Sequence, residues 1–509
     1  MSALRSFVPG LRRNMLVVCF ALFGVENSAL AAPPEVRGTW LTSSSGDAIA
    51  SPEKTAETMR RLREIGINTV YVEAWKDGYT QFPSKVLERT IGVDRRPDAA
   101  GMDAGDPPRP ARDLLQEATI EAHRNGLLCI AWFEYGFVAA HKDTDNHLRR
   151  MHPQWLSRDK DGSEVAPNGY VWMNPLHPEC RRFLIDVVIE AVDRYDLDGV
   201  QFDDRIVWPH TTMGYDEFTV AWYRNEHAGA APPDDPKDPA WMRWRAEKIE
   251  DCARQFAREL REKRPGLIVS LSPAPYPWSY ENYLSEWPKW AAWAPGNADN
   301  TWWDEFVPQC YRYDWPAFKK VWDEQVQNFK DMGAAERVKD MLAGVMIVGS
   351  RPEPVAWEDL RQAIEHVRAT GGGGHVWWFS KGVLDVYPQQ VAAFYDVAGA
   401  GAASHPDRPA DWRPAPIALT RQLLVAESPD REGENQGGKR ASVWRGRAPT
   451  GAYRVIVQRE GVWAARPAVQ VKEPDGGGDA GIVSVELDVD AEAVELLVDR
   501  RPDMARAGK

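Results

Sequence analysis

Tyr195-Asp-Leu-Asp-Gly-Val-Gln-Phe-Asp-Asp-Arg205 decides the fold. An amphipathic run from Cys180 to Tyr195 reads as a helix and leads into it. A short apolar strand follows and ends in two carboxylates and an arginine. Helix, buried strand, then acids at the strand's carboxyl end is how a (β/α)8 barrel presents catalytic groups. Side chains two apart share a face of a strand. Val200 and Phe202 therefore point to the surrounding helices, and Gln201, Asp203 and Arg205 to the barrel axis. Asp203 is the first catalytic candidate. Asp204 has the opposite parity and turns toward a loop, where it orients Arg205 or binds substrate hydroxyls.

The same alternation runs through most of the chain. Strands are predicted at Val36–Leu41, Thr69–Glu73, Leu127–Glu134, Gly199–Asp203, Ile268–Ser272, Phe306–Tyr311, Met341–Val348 and Gly374–Phe379. Amphipathic helices are predicted at Pro52–Ile65, Ala111–Asn125, Cys180–Tyr195, Trp241–Lys263, Trp315–Met332 and Val355–Thr370. This order predicts an α/β chain whose residues 34–398 form a (β/α)8 barrel, not an open doubly wound sheet. No Gly-x-Gly-x-x-Gly follows the first strand, so a dinucleotide domain is not indicated. Two long loops, Trp75 to Pro110 and Tyr135 to Pro178, leave carboxyl ends of strands, the face where barrel active sites are built. Residues 399–416 are rich in small residues and proline and read as a linker. Residues 417–502 hold short alternating runs at Ala418–Val425, Arg440–Trp444, Tyr453–Arg459, Val483–Leu487 and Ala493–Val498. They predict a small all-β sandwich that packs or docks and carries no catalytic group.

With 509 residues and a formal net charge of -13, the chain lacks the basic balance that nucleic acid or an anionic membrane surface requires. Its 23 tryptophans build either a large aromatic core or a cleft whose flat rings stack on sugars. Residues 1–31 read as a signal peptide. Arg5, Arg12 and Arg13 are its basic region, Met15 to Val25 its apolar region, and Ala29-Leu-Ala31 its cleavage site. The expected mature protein starts near Ala32 or Pro33, is exported to the periplasm, envelope or beyond, and has no transmembrane segment. Cys19 lies inside the apolar run before Phe20, a poor setting for lipidation. Cys129, Cys180, Cys252 and Cys310 form no compact framework and are expected as buried free thiols.

Glycosidic cleavage needs two carboxyl groups across the bond. Asp203 supplies one. Glu134, ending the third strand beside apolar Trp132 and Phe133, is the expected proton donor. Glu73 ends the second strand, and the outward parity of Val70 and Val72 turns it inward, where it competes for the same role or binds substrate. Gln309 and Tyr311, ending the sixth strand, hydrogen-bond a sugar or position the catalytic carboxylate. One of Trp377 and Trp378 on the eighth strand floors the cleft, and we assign this to Trp377. The histidines and cysteines lack His-Glu-x-x-His or Cys-x-x-Cys spacing, so neither metal nor other cofactor is expected. Asp159-Lys-Asp-Gly-Ser-Glu164 is better read as a hairpin turn than as a calcium loop. Ser272-Pro273 lacks a nucleophile elbow.

Six motifs in order carry a family resemblance: Glu35-Val-Arg-Gly-Thr-Trp40, Gly66-Ile-Asn-Thr-Val-Tyr71, Phe82-Pro-Ser-Lys85, Trp172-Met-Asn-Pro175, the Asp-Gly-x-x-x-Asp-Asp core ending at Asp204, and Pro308-Gln-Cys-Tyr311. Over roughly Pro34 to Tyr395 the chain resembles the glycosyl-hydrolase-like family 10 proteins of bacterial envelopes. The resemblance implies a barrel and glycosidase action on a polysaccharide. One branch of the family acts on peptidoglycan strands stripped of their peptides. It carries over Asp203, Asp204, Asn174, Gln309 and Tyr311 as site residues. Departures fall at Glu134-Tyr135, where the family more often has Asn-Pro, at Glu73, often an amide, and at Arg205, often aromatic. Arg205 also stands where family 18 chitinases carry their catalytic Glu, which excludes that mechanism. The rival readings are a catalytically silent glycan-binding barrel and a hydrolase of secreted exopolysaccharide.

Overall fold

Eight parallel strands follow one another around a barrel: β1 Val36–Leu41, β2 Thr69–Glu73, β3 Leu128–Phe133, β4 Gly199–Phe202, β5 Ile268–Leu271, β6 Glu305–Phe306, β7 Leu342–Met346 and β8 Gly374–Trp378. The structure is a computed structural model that describes residues 33–97, 112–293, 301–397, 403–422, 442–472, 480–487 and 491–506. The expected signal peptide, residues 1–31, lies outside them. Each strand pairs with its sequence neighbours, and β1 closes on β8 with Val36 opposite Gly374. Two single bridges, Phe306 to Met341 and Gln309 to Gly344, join β6 to β7. The β6 ladder is shorter than its apolar run because Pro308 has no N–H to donate.

The strand parity read from the sequence holds. Phe202 faces outward, its ring 4.8 Å from that of Phe256 on the long helix Pro239–Lys263. Gln201 faces inward, accepting from Trp40 Nε1 at 2.7 Å and donating to Ser270 at 3.0 Å. Gly199 starts the strand because a Cβ there would lie 2.6 Å from the Ile268 carbonyl oxygen and 2.7 Å from Ile130. The barrel interior is filled by Val36, Tyr71, Leu128, Ile130, Ile268 and their neighbours, so it is a packed core and not a pore.

Residues 403–416 correct the linker expectation. They run across the amino-terminal end of the barrel and are tied to it. Asn68 donates to the Ala403 carbonyl, and His405 bonds Glu305, which also accepts from Tyr71. Arg413 reaches Asp196 and Asp198 at 2.7 Å each, and Trp412 Nε1 donates to Asp198. Asp198 also accepts from the Cys129 N–H and bonds His123. Residues 195–205 thus have two acidic ends. Asp198 anchors the floor, while Asp203 lies about 16 Å further along the strand, at the other mouth.

The C-terminal strands form a four-stranded and a three-stranded sheet, so this region is all-β as expected. The strand Val462–Val471, which carries Pro467, is absent from the expected set. It lies at a sheet edge, where a missing N–H is tolerated. This domain packs on the helix Leu114–Arg124. Arg124 pairs with Glu495 at 2.9 Å and lies over the Trp463 ring, above a cluster of Ile120, Ile456 and Leu497. Cys129, Cys180, Cys252 and Cys310 are buried free thiols. Asp159 accepts from the N–H groups of Asp161 and Ser163, closing the turn expected there. Among the described residues no helix is long and apolar enough to cross a membrane.

Candidate active site

The carboxyl ends of β2, β3 and β4 bring Glu73, Glu134, Asp203 and Asp204 together around two cations. Arg205 Nη1 lies 3.2 Å from Asp203 Oδ2 and 3.6 Å from Glu134 Oε1, and donates to the Glu134 carbonyl at 2.8 Å. Its Nε is 3.8 Å from Asp204. The rings of Tyr135 and Tyr170 flank the guanidinium at 5.0 and 5.8 Å and fix its plane. Lys76 is the second cation. Its Nζ sits 2.9 Å from Glu134 Oε2 and 3.3 Å from Glu73 Oε2.

The four acids differ in their surroundings. Burial alone would raise the Glu73 carboxyl. Lys76, the hydroxyls of Ser43 and Thr42 and the Ser43 N–H outweigh it and hold Glu73 below the usual carboxylate range. Gln81 also donates to it, at 2.7 Å. Every oxygen of Glu73 is thus engaged by protein, which makes it a support for Lys76. Burial raises Glu134, repulsion from Glu73 adds to this, and Lys76 and Arg205 oppose. Burial pushes Asp203 well above the usual range, joined by the charges of Asp204 and Glu134 and opposed by Arg205. Burial raises Asp204 as well. Among the four, Asp203 is the carboxyl whose charged form these surroundings disfavour most.

Gln309 donates to Asp203 Oδ1 at 2.6 Å and to the Ser272 carbonyl at 3.1 Å, so its amide positions Asp203. Tyr311 lies in the same mouth. Burial and the charges of Asp203 and Asp204 raise its hydroxyl well above the usual range. The aromatic floor is Trp378, with its ring centroid 5.8 Å from Tyr311, 5.9 Å from Trp40 and 6.1 Å from Trp132.

Two expected site residues are elsewhere. Trp377 points outward, fully buried, and donates to the Tyr395 hydroxyl at 2.8 Å, because β8 turns His375 and Trp377 to the helices and Val376 and Trp378 to the axis. Asn174 is consumed by structure. Its amide donates to Asp216 and Thr219 at the start of helix Glu217–Glu226, and its oxygen accepts from the Leu176 N–H. Lys76, Ser43 and Gln81 join the site without a motif in the sequence that marks them. The one sequence signal for Lys76 is a lysine three residues past a strand-end glutamate. Among the described residues no group of His, Cys, Asp and Glu is arranged to hold a metal ion.

A nearly closed parallel barrel with buried carboxyls at its carboxyl-terminal mouth is an arrangement that barrel glycosidases share. The family profile of "Glycosyl hydrolase-like 10" matches residues 35–349, and the chain belongs to that family. It is 24% identical over 372 residues to glycosyl hydrolase DigH of Escherichia coli K12, covering 66% of this chain and 78% of that one. It is also 24% identical over 256 residues to glycosyl hydrolase YngK of Bacillus subtilis, covering 47% and 45%. Among solved structures, the glycoside hydrolase domain of PgaB (BpsB) from Bordetella bronchiseptica superposes with a TM-score of 0.51 at 13% identity. That match covers 72% of this chain and 99% of that one. It shares the fold.

Proposed function

We propose that the chain is an exported hydrolase of O-glycosidic bonds in an extended glycan, with peptidoglycan strands lacking stem peptides as its first substrate. The observation that carries this reading is the pair Asp203 and Glu134, two buried carboxyls on adjacent strand ends held by one guanidinium. Those two contacts keep the facing oxygens within about 7 Å of each other, close enough to flank one glycosidic bond. Membership of the family supports glycosidase action, and the segment read as a signal peptide supports export.

For the division of labour we assign the acid to the carboxyl whose charged form is the more disfavoured, the opposite of the sequence expectation. Asp203 holds its proton and gives it to the leaving glycosidic oxygen. Glu134, ion-paired with Lys76, is the charged partner that attacks the anomeric carbon. Asp203, deprotonated by the first step, then takes a proton from the water that releases the sugar. Arg205 stabilises whichever of the two carries charge, and Gln309 keeps Asp203 aimed. Trp378 stacks on the sugar ring in the mouth.

The test is incubation of pure protein with intact sacculi, amidase-treated sacculi and a neutral exopolysaccharide, with products read by mass. Oligosaccharides released only after amidase treatment support the reading. Cleavage of the exopolysaccharide alone moves the substrate, and binding of all three without cleavage points to the silent binding barrel.

A further inference from the structure

Trp278 is a large aromatic side chain on the catalytic face that stays 49% exposed. It opens the short helix Trp278–Tyr283 in the segment after β5, the strand beside the one that carries Asp203. Segments leaving the carboxyl ends of barrel strands surround the active-site mouth. The ring of Tyr283 lies 5.5 Å from that of Trp278 and 5.9 Å from that of Trp172. The Tyr283 hydroxyl accepts from Asn168 at 2.9 Å, two residues before the Tyr170 that flanks Arg205. The charges of Asp204 and Arg205 are felt at that hydroxyl. Tyr283 therefore joins Trp278 to the Asn168–Trp172 stretch whose Tyr170 flanks Arg205.

The segment is held rigidly although its first side chain is exposed. Ser279 donates to the Ser285 carbonyl at 2.9 Å, and buried Trp287 donates to the Ala274 carbonyl at 3.0 Å. Tyr276 N–H donates to Gln325 at 2.8 Å. Exposing an indole to water is unfavourable, and a braced backbone removes most of the ordering cost of binding on it. An indole offers a flat apolar face of the size of a pyranose ring. The Asn168 amide and the Tyr283 hydroxyl beside it are polar partners for sugar hydroxyls.

We propose that Trp278 and Tyr283 form a distal sugar subsite, on which a glycan bound at Asp203 and Glu134 stacks a pyranose ring remote from the scissile bond. This rests on the glycan reading above. It deepens that reading by making the protein selective for chain length, since a short substrate that fills only the mouth never reaches Trp278.

The test uses the full chain carrying Asp203→Asn, to prevent turnover, with the N-acetylglucosamine disaccharide and hexasaccharide as probes in titration calorimetry. Adding Trp278→Ala should weaken the hexasaccharide about tenfold, the upper end of what one aromatic contact contributes, and leave the disaccharide unchanged. Trp278→Tyr should restore most of the loss. Trp222→Ala, which truncates an exposed tryptophan on the helix Glu217–Glu226, should change neither probe. Equal affinities with and without Trp278→Ala, or an equal loss for both probes, overturn the subsite while leaving hydrolysis untouched. Binding of neither probe before Trp278 is changed also overturns it. Length-dependent binding by a chain whose native form cleaves no glycan upholds the subsite and sinks the hydrolase reading.

Discussion

Asp203→Asn removes the proton that the proposed mechanism spends on the leaving oxygen. The change is nearly isosteric. Asn Oδ1 can still accept from Gln309, and Arg205 keeps its bond to the Glu134 carbonyl and its contact with Asp204. The carboxyl lost is one whose charged form is disfavoured by burial and by two neighbouring acids, so its removal should leave the melting temperature unchanged or slightly raised. Loss of a positioned general acid is worth 10²–10⁴ in rate, or about 3–5 kcal/mol of barrier. The assay is kcat on a natural glycan and on an aryl glycoside with a good leaving group, beside a melting curve. The aryl substrate needs little protonation and should recover most of the loss. In the native protein the activity should fall as pH rises through the raised pKa of Asp203. Near-normal turnover of natural glycan by a folded Asp203→Asn variant would refute the reasoning.

Glu134→Gln should lose comparable activity on both substrates, because no leaving group replaces a missing nucleophile; recovery on the aryl glycoside would show that the two roles are reversed. Lys76→Met should shift the acidic limb of the pH–rate profile to higher pH, since Glu134 loses the cation that opposes its raised pKa; an unmoved limb would detach Lys76 from the mechanism. Glu35 is buried, which alone would raise it, but Arg368 and Arg37 hold its pKa at about 2 against the usual 4.5. Its stabilising share, about 3 kcal/mol, is complete above pH 4.5 and is lost as pH falls toward 2, so Glu35→Gln should flatten the acid limb of a stability curve. Arg413→Ala leaves Asp196 and Asp198 buried without their cation and should cost about 3–5 kcal/mol in chemical denaturation; a loss under 1 kcal/mol would show that the strap is not part of the core.

The barrel was legible because its signals are local. β1 and β2 have the residue bounds that their apolar runs predict, and the alternation in Gly199–Phe202 gave the facing of Asp203 directly. What failed depended on contacts distant in sequence. Trp377 and Trp378 are adjacent and chemically alike, so pattern alone could not choose between them; the outward side of β8 is set by Tyr395, which bonds both His375 and Trp377. Asn174 sits in a family motif, but its role is to brace the start of a helix more than forty residues on. Residues 403–416 have the composition of a spacer, and only Trp412 and Arg413 hint at a clasp whose acidic partners lie some 215 residues earlier. Lys76 was hidden because its two partners come from different strand ends, meeting only when the barrel closes.

Hydrolysis at Asp203 and Glu134 is the central claim. Amidase-treated glycan strands digested in water enriched in ¹⁸O, with native protein and Asp203→Asn side by side, test it in a single mass spectrum. Fragments from the native protein should carry one heavy oxygen at the new reducing end, and the variant should release almost none. Fragments that gain no water, or equal yields from both proteins, would contradict it.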